Sequence, residues 1–148
     1  MRRDCEQRFA EHGIEQSRLT LLPLTAARTH HLLLYAQVDI AVDTFPYCGT
    51  TTTCEALWMS VPVVTLAKHG GSHAHNVGVT LLNAVGLKEL IAYDEPSFVQ
   101  TVASLAADNS RLVALRASLR QTMADSPLCD GIGHTRAFEQ LLAQCVQK

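Results

Sequence analysis

The stretch that decides the fold runs from residue 38 to residue 66 and reads VDIAVDTFPYCGTTTTCEALWMSVPVVTL. Its start is apolar and rich in β-branched residues, which predicts a strand over 38–42. A proline-containing turn and four threonines then lead into a predicted helix over 50–59. The apolar run at 62–66 predicts another buried strand. A strand, a helix and a strand in this order are typical of a parallel sheet with crossover helices.

The flanking segments continue this alternation of helices and strands. The fold predicted from them is α/β, a partial Rossmann-like parallel sheet of three or four strands with helices on both faces. Because the sheet is small and the chain opens inside a helix, we expect residues 1–148 to form a single domain that belongs to a larger α/β unit. The other predicted helices cover residues 2–12, 28–37, 75–85, 95–124 (as one helix or two) and 134–146, and the other strands cover 19–22 and 87–92.

Composition narrows the class of protein. The chain has 148 residues, of which 47% are hydrophobic, enough for one compact domain with a core. Its net charge of -2 and scattered basic residues predict neither a nucleic-acid nor a membrane partner. No apolar segment approaches a membrane span and no signal-peptide core follows Met1, so we expect a cytoplasmic location. Five cysteines without paired CxxC spacing predict reduced thiols, with a reactive Cys48 as the alternative.

The junction between the strand at 38–42 and the helix at 50–59 is the predicted ligand site, because ligands bind beyond the carboxyl ends of parallel strands. Gly49 allows close backbone approach, and the first helical turn presents unpaired amides at the positive end of the helix dipole. The hydroxyls of residues 50–53 add donors, which predicts phosphate binding without a lysine. The alternative is a threonine that only caps the helix. Glu55 is a candidate for ribose hydroxyls, and an exposed helix glutamate is the alternative.

The block DTFPY-x-GTTTTCEALWM-x-VPVVT at residues 43–65 resembles the C-terminal lobe of the O-GlcNAc transferase family, including its SPINDLY branch. The resemblance continues through 73–79, 81–82 and 85–87, and ends at the SPLCD string of 126–130. It implies a two-lobed glycosyltransferase of the B-type fold, whose C-terminal lobe binds the nucleotide sugar. The Ser or Thr of an acceptor protein enters between the lobes, beside an N-terminal arm of helical repeats.

Carried over position by position, the resemblance implies roles for individual residues. Thr51 and Thr52 match the residues that hold the donor diphosphate and stabilise the leaving group, and Glu55 matches the acidic residue that binds the ribose. His31 matches a histidine that contacts the nucleotide, although from the residues alone a half-buried helix histidine is the preferred interpretation. Arg28 falls where the GlcNAc transferases have a lysine beside the base. The full set of donor-binding candidates is Leu24, Thr25, Arg28, His31, Gly49, Thr50, Thr51, Thr52, Thr53, Glu55 and Asn76.

The donor itself stays open between UDP-GlcNAc and GDP-fucose. Asn76 stands where the GlcNAc transferases commonly have an arginine, and its surrounding string HAHNVG is more like the SPINDLY branch, whose plant members use a GDP-fucose donor. The backbone at Leu24 and Thr25 matches the segment that recognises the base. No DxD motif precedes the site, so we expect neither a metal nor another cofactor.

The predicted function is that of the donor-binding lobe of a protein O-glycosyltransferase. The family's N-terminal lobe and a convincing general base are missing from these residues, so we expect little turnover from the chain alone. The competing class is a non-catalytic nucleotide-binding or protein-interaction fragment, whose exposed lobe face favours self-association. A Rossmann oxidoreductase is disfavoured because GxGxxG is absent from the sequence.

Overall fold

A computed structural model describes residues 2–23, 25 and 27–146, with the backbone alone for Arg28. The chain divides into two compact units, residues 1–31 and 32–148, and the second contains the sheet. The prediction of a single domain over 1–148 stays a prediction. Within the described residues, no helix combines the length and the apolarity needed to cross a membrane.

Seven α-helices and three short strands are formed by the described residues. The helices are α1 (Arg2–Glu11), α2 (Arg28–Leu34), α3 (Thr51–Trp58), α4 (Val77–Ala84), α5 (Glu95–Ala107), α6 (Asn109–Ala124) and α7 (Gly131–Val146). The strands are β1 (Ala41–Val42), β2 (Val63–Leu66) and β3 (Ile91–Ala92).

In the first unit, α1 forms as predicted and the chain leaves it through Gly13, whose φ of 75° suits a residue without a Cβ. The predicted buried strand over 19–22 is wrong. This run has no regular secondary structure. In the described part of the chain it pairs with no strand, and Leu22 is 50% exposed. A short apolar run becomes a strand only when a neighbour accepts its backbone hydrogen bonds.

In the second unit, all strands are parallel in the order β1, β2, β3, which confirms the predicted α/β class. The register places Ala41 opposite Val63 and Thr65 opposite Ile91. The central strand β2 is buried except for Leu66, which is half-buried, and α3, α4 and α5 all pack against it. The carboxyl ends of the strands therefore lie on one edge of the sheet, where α3 and α4 begin. The core includes the fully buried leucines Leu57, Leu82, Leu90, Leu105 and Leu119.

Strand β1 is shorter than the predicted 38–42, and a distant arginine explains the difference. Arg116 of α6 donates from Nη1 to the carbonyl oxygens of Val38, at 2.6 Å, and Asp39, at 3.1 Å. Those carbonyls are bonded to a side chain instead of a neighbouring strand. Regular pairing starts where the amide of Ala41 donates to the carbonyl of Pro62 at 2.9 Å.

The predicted helical region over 95–124 is two helices, because Asp108 separates α5 from α6. Its Oδ1 accepts a hydrogen bond from the amide of Arg111 at 2.9 Å and so caps α6. That amide, followed by the Ser110 hydroxyl, lowers the pKa of Asp108. The predicted helix over 75–85 begins as a 3-10 turn at His73–His75 and continues as α4, while α7 starts three residues earlier than predicted.

Candidate functional site

The turn over residues 43–50 leaves the carboxyl end of β1 and leads into α3. Beside it lies a cavity of about 150 Å³, whose lining includes Tyr35, Asp43, Gly49 and Thr52. A pocket for a complete small-molecule ligand usually measures about 300–1,000 Å³. The cavity therefore has the size for one part of a larger ligand, and it lies at the edge of the sheet predicted from the strand order.

The first turn of α3 has no side-chain cap. Thr50 occupies the N-cap position without accepting a hydrogen bond from the helix, and the amides of the first helical turn have no intrahelical acceptor. The hydroxyl of Thr53 points backwards and donates to the carbonyl of Gly49 at 3.0 Å. Thr51 and Thr52 are exposed. The alternative that a threonine merely caps this helix is therefore wrong, and the amides stay available at the positive end of the dipole.

Gly49 is required by packing inside the turn itself. A Cβ atom at this position would lie 2.6 Å from Oγ1 of Thr52 and 2.8 Å from Oγ1 of Thr53. These distances are shorter than carbon–oxygen contacts allow, so any larger residue would displace the two hydroxyls. The sequence explained this glycine by the approach of a ligand, and the structure adds an intramolecular reason.

Asp43 is a site residue that the sequence alone indicated only as part of the turn. It is 8% exposed, and its Oδ1 accepts the amide hydrogen of Gly49 at 2.8 Å. Its Oδ2 accepts the hydroxyl hydrogen of Thr65, in β2, at 2.8 Å. Gly78, in the first turn of α4, lies so close that a Cβ there would overlap both Asp43 Oδ2 and Thr65 Oγ1. The available signal was an aspartate placed directly after a buried strand.

Cys48 joins the turn to the segment before α4. Its amide donates to the carbonyl of Ala74 at 3.0 Å, and its thiol donates to the carbonyl of His75 at 3.2 Å. Burial is the main cause that raises the pKa of the Cys48 thiol. All five cysteines are free in the described chain, as predicted, and Cys48 is a buried, protonated packing group that does not fit the reactive-thiol alternative.

Asn76 closes the loop that precedes α4. Its Oδ1 accepts from the amide of Lys68 at 3.0 Å, and its Nδ2 donates to the carbonyl of the same lysine at 3.1 Å. Nearby, Nδ1 of His75 accepts from the amide of Ser72 at 2.9 Å, which places the proton of the neutral ring on Nε2. His75 thus has a partner that the sequence did not reveal, and this partner makes the neutral ring a donor at Nε2.

Tyr35 directly follows α2, and its side chain contacts α3. Its hydroxyl donates to the carbonyl of Thr52 at 3.2 Å. Burial, and secondly the charge of Glu55, raise the pKa of Tyr35. The charge of Glu55 therefore acts on the Tyr35 hydroxyl, and Glu55 itself is half-buried. The sequence predicted only a helix over 28–37 here and gave no indication of this contact.

Comparison with known proteins decides the family. The model of glycosyl transferase family 41 matches residues 2–138. The chain belongs to this family. It is 53% identical over 131 residues to a probable UDP-N-acetylglucosamine-peptide N-acetylglucosaminyltransferase SPINDLY of Oryza sativa subsp. japonica, covering 88% of this chain and 14% of that protein. It is 31% identical over 135 residues to the UDP-N-acetylglucosamine-peptide N-acetylglucosaminyltransferase of Caenorhabditis elegans, covering 90% and 11%.

A solved O-GlcNAc transferase structure has a similar fold. A mutant O-GlcNAc transferase of Thermobaculum terrenum matches with a TM-score of 0.74 and 37% sequence identity, over 81% of this chain and 22% of that one. The resemblance to the O-GlcNAc transferase and SPINDLY proteins is thereby confirmed. The chain spans 14% of the length of the SPINDLY relative from rice. The activity of the whole proteins is therefore only proposed for this chain.

The predicted site residues of this family 41 chain fall into two groups. Gly49, the four threonines, Glu55 and Asn76 all lie in the second unit, and the contacts of Cys48 with residues 74 and 75 hold the segment before Asn76 against the turn. Thr25, Arg28 and His31 lie in the first unit, where His31 is half-buried and its amide donates to the carbonyl of Ala27 at 3.1 Å. Leu24 and the Arg28 side chain lie outside what the structure describes. The donor-binding roles of all these residues stay predictions.

Proposed function

We propose that this chain is the donor-binding part of a family 41 protein O-glycosyltransferase, with the diphosphate of a nucleotide sugar seated on the first turn of α3. The observation that carries the proposal is the uncapped helix start, where Thr51 and Thr52 are exposed residues and Thr50, at the N-cap position, makes no side-chain cap hydrogen bond. Phosphate groups bind at such helix starts because amides and the helix dipole both favour negative charge.

The proposed chemistry at this turn is stabilisation of the leaving group. When the sugar moves to a Ser or Thr hydroxyl of an acceptor protein, negative charge grows on the departing diphosphate. Fixed amide and hydroxyl donors lower the free energy of that state, because they need no reorganisation during the reaction. The residues described supply no general base in this proposal, so transfer needs further parts of the enzyme. Transfer without a metal and a cytoplasmic location belong to the same proposal.

The experiment that tests the proposal is a calorimetric titration of the purified chain with UDP and with GDP. We expect saturable binding of at least one of them, and binding about tenfold weaker or worse for the corresponding nucleoside, which lacks the diphosphate. Preference for GDP would support a GDP-fucose donor, whereas preference for UDP would support UDP-GlcNAc, the donor that the names of the rice and nematode relatives contain. A folded chain that binds neither nucleotide would contradict the proposal.

A second candidate role, as an interaction module, is favoured by α7. Phe138, Leu141 and Leu142 share one face of this helix, and each is more than half exposed. We propose that such uncovered apolar surface makes the isolated chain self-associate. Sedimentation velocity over a range of concentrations should then show species larger than the monomer, and these should diminish in a variant with Phe138→Ser and Leu142→Ser. A monomer at every concentration would exclude self-association.

A further inference from the structure

Asp43 lies where the starts of two helices meet. Its carboxylate accepts the amide hydrogen of Gly49, two residues before α3 begins, and it packs against Gly78, the second residue of α4. The positive ends of two helix dipoles therefore lie near this buried carboxylate. Two of its hydrogen-bond partners, the amide of Gly49 and the hydroxyl of Thr65, are neutral donors. Such a group is held in place by hydrogen-bond geometry.

We propose that Asp43 is the positioning residue of the donor-phosphate site. Gly49 is held at both ends, because Asp43 accepts its amide hydrogen and Thr53 donates to its carbonyl. The side of Gly49 without a Cβ is occupied by the hydroxyls of Thr52 and Thr53. Fixing Gly49 thus fixes both the seat of the Thr52 hydroxyl and the direction in which the first-turn amides of α3 point. This inference rests on the proposed function of that turn.

Asp43 also connects the turn to the core of the sheet. Its two oxygens bridge the turn to Thr65, a fully buried residue of the central strand β2. The turn is thereby tied to the buried centre of the sheet. Preorganised donors bind a charged ligand more tightly because binding does not have to order them. Without Asp43, the amide of Gly49 and the hydroxyl of Thr65 lose their acceptor, and the turn must shift to find others.

Two substitutions separate positioning from charge. Asp43→Ala removes both acceptors. Asp43→Asn keeps an oxygen for the amide of Gly49, and its amide nitrogen can donate to Thr65 Oγ1 once that hydroxyl reverses its role. The matched control is Asp108→Ala, which removes a similar carboxylate bond to a backbone amide, that of Arg111, at the start of α6.

The test measures binding of UDP, GDP and the matching nucleosides by calorimetry. We expect Asp43→Ala to weaken nucleoside diphosphate binding at least about tenfold. The same variant should leave nucleoside binding within about twofold, because a nucleoside does not reach the phosphate turn. Asp43→Asn should restore diphosphate binding to within about threefold of the unchanged chain, and Asp108→Ala should not affect it. Unchanged diphosphate binding by a folded Asp43→Ala chain, or an equal loss in Asp43→Asn, would overturn the proposal.

Hydrogen exchange at the amide of Gly49 provides a readout that needs no ligand. This amide should be protected in the unchanged chain and in Asp43→Asn, and should exchange faster in Asp43→Ala. If Asp43→Ala does not fold, the comparison of Asp43→Asn with the unchanged chain still decides the matter, since unprotected Gly49 in Asp43→Asn would overturn the proposal. If the unchanged chain binds neither nucleotide, the proposed function fails, whereas the anchoring of Gly49 by Asp43 is still tested by exchange.

Discussion

Replacing Thr51 and Thr52 together by valine is expected to weaken nucleoside diphosphate binding about 100-fold. Hydrogen bonds to a charged group contribute about 1.5–3 kcal/mol each, and two of them at the lower value amount to about two factors of ten. Valine has nearly the same shape as threonine and both side chains are exposed, so the helix should form as before. Calorimetric titration with UDP and GDP measures the change, and circular dichroism confirms that the fold is retained.

The matched control is Thr122→Val in α6, whose hydroxyl donates to the carbonyl of Ser118 at 3.1 Å and lies outside the turn. It makes the same chemical change without touching the proposed site, so nucleotide binding should be unaltered. Equal affinities for the doubly substituted chain and the unchanged chain would show that the threonine hydroxyls do not contact the phosphates. A loss of similar size in the control would show that the assay reports a general effect of the substitution.

Replacing Leu57 by alanine is expected to lower the free energy of unfolding by about 2–5 kcal/mol, because the side chain is fully buried and leaves a cavity. A domain is typically stable by only about 5–15 kcal/mol, so a large share of the stability would be lost. Leu57 belongs to the core and holds α3 against it. It lies near the C-terminal end of α3, whereas the proposed phosphate turn is at the N-terminal end. Urea denaturation followed by circular dichroism measures the shift in midpoint.

Leu33→Ala in α2 is the matched control, since this leucine is 59% exposed and lies outside the apolar face of α7. Its removal should change the free energy of unfolding by less than about 0.5 kcal/mol. A loss below about 1 kcal/mol for Leu57→Ala would contradict the placement of α3 in the core.

The sequence predicted most of what depends on local pattern. The buried strand β2 and the helix α3 were both recognised, because a β-branched apolar run and a threonine-led helix start are readable within a few residues. The ends of α1 and α4 lie within one residue of the predicted ends at 12 and 85, and the glycines that follow, Gly13 and Gly86, adopt φ values of 75° and 77°. The long DTFPY block is specific enough to indicate the family by its residues alone.

Two predictions failed, the strand over 19–22 and the full length of β1. Both depend on whether backbone groups find hydrogen-bond partners far away along the chain. The run at 19–22 has the composition of a strand, yet it pairs with none in the described chain. Strand β1 is shortened by Arg116, whose guanidinium reaches Val38 across 78 residues. Periodicity within a segment contains no information about either relation, because a backbone group's partner is decided by packing.

The sequence by itself determined the class of fold and the family, and it predicted the place of the proposed phosphate turn, since each follows from residues that are neighbours along the chain. The tertiary structure alone decided how that turn is built. Asp43 and Thr65 are 22 residues apart and meet only because β1 and β2 pair in parallel. Gly49 is needed because folding places two threonine hydroxyls against it. Hydrogen bonds and close packing depend on distances of a few tenths of an ångström, which only the folded chain defines.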